Sequence, residues 1–95
     1  MQKVTCRFEG RVQGVGFRYS TQELARAYPE ITGQVRNLSD GSVELIAEGQ
    51  DSQIQALLSD IAERMQRNIV RRTDQWESIT ERRYEGFRIA DNGPA

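Results

Sequence analysis

The sequence contains no histidine and a single cysteine, Cys6. Without histidine, neither a Ser-His nor a Cys-His dyad can be assembled. One cysteine excludes an intramolecular disulfide and argues against a thiolate or histidine metal cluster. Cys6 falls at an alternating apolar position, which reads as a small core residue rather than a reactive thiol. An excess of charge of either sign is also missing: 13 basic residues stand against 14 acidic ones. Generic electrostatic binding to nucleic acid or to an anionic membrane is therefore not indicated, and any anion site has to be local. No apolar run approaches the length of a membrane span and no signal-peptide pattern opens the chain, so a cytoplasmic protein is expected. A catalyst of this composition has to rely on positioning, hydrogen bonds and fixed charge. Ninety-five residues suit one domain, residues 1–95, with one thin core.

The most informative stretch runs from Gly10 to Arg18, Gly-Arg-Val-Gln-Gly-Val-Gly-Phe-Arg. Val4, Cys6 and Phe8 before it alternate with Thr5, Arg7 and Glu9, the period of a strand. Phe17, Leu24 and Tyr28 after it fall near helical spacing, with Thr21 between them. The stretch is thus a strand-to-helix turn. Gly14 and Gly16 let the backbone turn tightly and a ligand come close. Successive N–H groups opening onto a helix N-terminus form a concave anion site. Arg18 begins the helix, and its planar fork of donors suits phosphate or carboxylate. A cation there opposes the macrodipole, a conflict that a bound anion relieves. A Gly-x-Gly turn also serves as a plain tight turn. No Gly-Lys-Ser or Gly-Lys-Thr follows, so this is not a Walker loop, and the third glycine of a dinucleotide fingerprint is missing.

The remaining elements follow from periodicity. The first strand runs from about Lys3 to Gly10 or Arg11, and the first helix from Phe17 to Ala27 or Tyr28, where Pro29 stops it. A second strand covers Gly33 to Asn37. Asp40-Gly41 signals a hairpin into a third strand, Ser42 to Glu48, with Glu44 and Glu48 facing solvent. Ile54, Leu57, Leu58, Ile61 and Met65 draw one apolar stripe on a second helix, which Asp51 or Ser52 caps, Ser52 and Gln55 having capping-box spacing. Asn68 to Ile79 reads as a charged edge strand. Phe87 and Ile89 suggest a short last strand, and Asp91 to Ala95 a frayed tail. Arginines between Arg64 and Arg83 alternate with acids and read as a solvated face, and Tyr19, Ser20 and Thr21 as helix-surface residues rather than pocket walls. The order β-α-β-β-α-β, with a possible extra strand, is the ferredoxin-like α+β pattern: an antiparallel sheet with both helices on one face. In it the first two strands are parallel and end at the same edge, which brings Asn37 beside the Gln13–Arg18 loop. A carboxamide there can accept from and donate to a water at once, or can simply open the turn before Asp40.

The run Val-Gln-Gly-Val-Gly-Phe-Arg, with Gly33-Gln34-Val35-Arg36-Asn37 and Asp40-Gly41-Ser42-Val43, resembles the acylphosphatase family, most strongly from Val4 to Gly49. The resemblance implies a ferredoxin-like fold and hydrolysis of acyl phosphates to a carboxylate and inorganic phosphate. It implies that Arg18 grips the phosphoryl group, that main-chain N–H groups of Gln13, Gly14, Val15, Gly16, Phe17 and Arg18 bind its oxygens, and that Asn37 orients the attacking water. It implies no metal, no cofactor, no covalent intermediate and a monomer with small-molecule partners only. The alternative is a non-enzymatic module of the same fold that binds a phosphorylated metabolite. An RNA-binding version lacks the aromatic sheet motif of RNA-recognition domains.

Overall fold

The computed structural model describes residues 1–95. Strand and helix periods resolve into β1 (Gln2–Gly10), α1 (Phe17–Ala25), β2 (Thr32–Asn37), β3 (Val43–Gly49), α2 (Asp51–Arg64), β4 (Ile69–Ser78) and β5 (Phe87–Ile89). The sheet order is β4-β1-β3-β2-β5. The first four strands pair antiparallel, as expected, but β5 joins β2 in parallel, so the whole sheet is mixed. Because β1 and β2 both run antiparallel to β3 between them, they are parallel to each other and end at the same edge.

Alternation decides the faces. Val4, Cys6 and Phe8 of β1, Val35 of β2 and Val43, Leu45 and Ala47 of β3 lie in one cluster with Phe17, Ala25 and the α2 stripe of Ile54, Leu57, Leu58, Ile61 and Met65. α1 and α2 pack against each other over this face. Burying a side chain of this size stabilises the fold by roughly 1.5–3 kcal/mol, so these periodic positions dominate the driving force. Cys6 is fully buried, and burial, with Asp74 beside it, pushes its thiol far above the ordinary range, consistent with an inert core role.

Several boundaries and exposures differ from expectation. α1 stops at Ala25 because its last turn tightens: the Arg26, Ala27 and Tyr28 N–H groups donate to carbonyls three residues back, short of Pro29. α2 is capped by Gln50, whose carbonyl accepts from Gln53 and Ile54; neither Asp51 nor Ser52 makes a capping bond, since the helix already begins at Asp51. Thr21 faces inward between Phe17 and Ala25 and is fully buried, not a surface residue.

Glu48 departs furthest. Its side chain leaves the face opposite the helices, as alternation requires, yet it is fully buried. The connection from β4 to β5 crosses beneath it, and the Arg83 and Tyr84 N–H groups and the Thr32 hydroxyl all donate to its carboxylate, at 2.9–3.2 Å. Arg82 donates to Thr32 Oγ1 and to the Glu48 carbonyl. Glu44, by contrast, is a half-covered partner of Arg36 at 2.8 Å. β4 is an edge strand whose arginines pair with acids, Arg71 with Glu9 and Arg72 with Asp74. The segment Asp91–Ala95 is not frayed: Gly93 is buried and bridges Leu38 in parallel, extending the β2–β5 edge.

Candidate active site

The end of β1 and the start of α1 are joined by a loop whose conformation glycine permits. Gly14 and Gly16 hold φ of 74° and 80°, the left-handed region that L side chains rarely adopt, and neither lies against a neighbour that a Cβ would strike. They are glycine for their backbone, not for want of room. Gly16 is the residue preceding α1 and offers no side-chain cap. None of the N–H groups from Gln13 to Arg18 donates to a carbonyl of the chain. These are the orphan donors of a helix start and its lead-in turn, presented together on an exposed loop. Arg18 is half-buried and makes no ion pair or hydrogen bond within the chain, whereas Lys3, Arg7, Arg36, Arg64, Arg71 and Arg72 all meet a carboxylate.

Buried residues of the loop fix its seat. Val12 is buried, and Phe17 turns inward to stack on Phe8 with ring centroids 5.0 Å apart at 52°. Phe8, Val43 and Asn37 form one row across β1, β3 and β2. With neighbouring strands about 4.8 Å apart, Asn37 stands roughly 10 Å from Phe8 along that row. Asn37 shares the face of Val35 and Val43, the face that α1 covers, and α1 packs directly on β2. The sheet therefore brings the carboxamide to the helix side of the loop's own edge, as the parallel β1 and β2 imply. Asn37 Oδ1 is buried and accepts from no donor in the chain.

Gln13 has a second role that its position in the loop did not reveal. Its side-chain Nε2 donates to the carbonyls of Leu38 at 2.8 Å and Ser42 at 2.9 Å, so the side chain points to the β2–β3 turn, and the main-chain N–H is left without an acceptor in the chain. The far side of the loop is held by Asn68, whose Nδ2 donates to the Arg11 carbonyl while its own carbonyl accepts from the Arg11 N–H, both at 3.0 Å. No feature of the Met65-Gln66-Arg67-Asn68 connection marks that reciprocal pair in sequence. The turn itself is stiff. Asp40 accepts from the Ser42 hydroxyl and N–H and pairs with Arg7, and the hydroxyl first, then the N–H and the guanidinium, hold its carboxyl down at about 2.

Five surface hollows of about 210 to 350 Å³ are lined by neither Arg18 nor Asn37. No three cysteine or carboxylate side chains converge to hold a metal, here or elsewhere. No helix is long and apolar enough to cross a membrane. The arrangement can hold a compact anion by main-chain donors and one guanidinium, beside a carboxamide able to bind water.

Comparison with known proteins bears on the family and the fold. The family model described as Acylphosphatase matches residues 4–89. An acylphosphatase of Salinibacter ruber is 42% identical over 89 residues, covering 93% of this chain and 92% of that protein. The crystal structure of acylphosphatase from Bacillus subtilis superposes with a TM-score of 0.82 at 28% identity, over 95% of this chain and 99% of that one. An acylphosphatase structure from Coxiella burnetii gives 0.70 at 33% identity, over 94% and 92%. Because the match runs from within β1 to the end of β5 and the relatives align along nearly their whole length, the chain belongs to the acylphosphatase family.

Proposed function

We propose that this chain hydrolyses the carboxyl–phosphate bond of acyl phosphates, with the Gln13–Arg18 loop as phosphate cradle and Asn37 as the group that orients water. The observation that carries the reading is the coincidence of two unmet hydrogen-bonding demands at one sheet edge: a run of main-chain donors with no acceptor in the chain, and a buried carboxamide oxygen with no donor. A phosphoryl dianion answers the first and a water molecule the second.

The chemistry asks for little more. Water oxygen forms a bond to phosphorus as the bond from phosphorus to the acyl oxygen breaks. The carboxylate leaves with the bonding pair, and the proton of the water passes to solvent or phosphate. A carboxylate is a stable leaving anion, so no general acid is needed, which suits a chain without histidine. Charge in the loose transition state spreads over the equatorial phosphoryl oxygens, where the loop N–H groups and Arg18 stabilise it by position and charge. Asn37 Oδ1 accepts from the water and leaves its lone pair free to face phosphorus. The near-balanced charge supports a small-molecule partner rather than nucleic acid or a membrane surface, and the reading carries with it a cytoplasmic monomer that needs no metal.

The test is release of phosphate from benzoyl phosphate in the presence of EDTA, with Arg18→Ala as control. Steady turnover that EDTA leaves unchanged and the control loses is the expected result. Tight phosphate binding without turnover identifies the alternative, a non-enzymatic phosphometabolite-binding module, and activity lost to EDTA and restored by zinc or magnesium overturns the mechanism.

A further inference from the structure

We propose that the segment after β5, Asp91–Ala95, is a positioning element for Asn37, acting through the backbone at the end of β2. The inference rests on the reading that Asn37 orients the attacking water. These residues lie beyond the matched family span, which ends at residue 89.

Three bonds tie the segment to the stretch that carries Asn37. The Gly93 N–H donates to the Asn37 carbonyl at 2.9 Å, the Ser39 N–H donates to the Gly93 carbonyl at 2.9 Å, and the Ala95 N–H donates to Ser39 Oγ at 3.0 Å. On the opposite edge the same stretch is held by β3, through Asn37 paired with Val43 and the Leu38 N–H donating to the Ser42 carbonyl, and by Gln13. The Asn37 peptide is thus gripped from both sides. With Gly93–Ala95 removed, β2 keeps only its inner ladder at the point where it turns, and the Asn37 backbone is held from one side instead of two.

Gly93 is the fitted part. A Cβ there would lie 2.3 Å from Arg36 Nη1 and 2.5 Å from Arg36 Cζ, and that guanidinium is itself held by Glu44. The segment therefore passes directly beneath the Arg36–Glu44 pair, and a side chain at position 93 would have to push the end of the flexible Arg36 side chain aside.

The experiment compares the full chain with one stopped after Asn92, each with and without Asn37→Ala, in benzoyl phosphate turnover and in competitive inhibition by inorganic phosphate. Displacing a positioning group by an ångström costs on the order of 100-fold, so a loosened one is expected to lower kcat by about tenfold or more. The phosphate inhibition constant is expected to stay within about twofold, because the cradle is built from other residues. In the Asn37→Ala background the shortening is expected to cost nothing further. Unchanged kcat in the shortened chain, parallel changes in kcat and phosphate inhibition, or the same loss with and without the Asn37 side chain would each overturn the inference. Wild-type turnover by Asn37→Ala in the full chain defeats the underlying reading instead, which keeps the two failures apart. Should the shortened chain not fold by circular dichroism, Gly93→Pro takes its place, because it deletes the N–H that donates to the Asn37 carbonyl: kcat is expected to fall with phosphate inhibition unchanged, and no fall, or an equal loss in both, rejects the proposal.

Discussion

The two helices of this molecule start in opposite ways. Neither has a side-chain cap on its first turn, so both leave main-chain donors exposed at the positive end of the helix dipole. α2 answers this from within: Asp51 brings a negative charge into the first turn, and Arg64 sits in the last. α1 has no acid in its first turn and no base in its last, and it carries Arg18 as its second residue. By the rules that govern helix ends, α2 is complete and α1 is wrongly charged. The difference separates a helix that exists to bury an apolar stripe from one whose start, in the proposed function, receives an anion brought from outside. Substitutions that erase the difference, from either side, test it.

Removing the cation has the largest expected effect. Arg18→Ala deletes the charge-assisted grip on the phosphoryl group and is expected to lower kcat/KM by roughly 1,000-fold or more, with KM raised, since one preorganised donor alone contributes on the order of 100–1,000-fold. Asn37→Ala comes next. It is expected to reduce kcat by about 100-fold while inhibition by inorganic phosphate changes little, because the proposed mechanism has the carboxamide serve the water and not the anion. Steady-state hydrolysis of benzoyl phosphate with phosphate as inhibitor separates the two, and a rise in KM for Asn37→Ala matching that of Arg18→Ala would remove the division of labour.

The same contrast shows how far the residues by themselves reveal the molecule. The α2 stripe, the β1 alternation and the Gly14-Val15-Gly16-Phe17-Arg18 turn are local patterns, and the structure follows them. Asn37 comes to the loop's edge by topology alone, because strands that share β3 as an antiparallel neighbour must end together. What escaped were contacts between distant segments. Alternation correctly turned Glu48 away from the helices, but nothing near it in sequence says that residues 82–84 cross that face and bury it. The Gly-Pro ending reads as loose by composition, and becomes ordered only because the outer edge of β2 offers Asn37 and Ser39 as partners. The role of the Gln13 side chain is illegible for the same reason: its partners, the Leu38 and Ser42 carbonyls, belong to a turn that only the folded sheet brings near.

Giving α1 the acid it lacks should move stability and binding in opposite directions. Tyr19 is the third residue of α1 and 70% exposed, so Tyr19→Glu disturbs no packing. A carboxylate there is expected to stabilise the fold by about 0.3–1 kcal/mol at low salt through the dipole and by easing the charge of Arg18. It also competes with the phosphoryl group for the same donors, so inhibition by inorganic phosphate is expected to weaken several-fold at low salt and to recover as salt screens the new charge. Thermal unfolding and phosphate inhibition, each measured at two salt concentrations, check both halves; tighter phosphate binding would mean that the α1 N-terminus is not where the anion sits.

The reciprocal change at α2 is the smallest and the cleanest control. Asp51 occupies the first helical position, and the only hydrogen bond its side chain makes within the chain is one accepted from Gln55 at 3.5 Å, so its contribution is chiefly the charge it sets against the dipole. Asp51→Asn keeps the shape and removes that charge. The fold is expected to lose about 0.3–1 kcal/mol at low ionic strength and progressively less as salt is added, read as a shift in the denaturant midpoint with an unchanged slope. Turnover and phosphate inhibition are expected to stay at wild-type values, because the start of α2 follows β3 at the edge of the sheet opposite the loop. A loss of activity on this substitution would show that the charge at α2 reaches the cradle, and the two helix starts would then have to be treated as one electrostatic unit rather than as a structural end and a ligand-facing one.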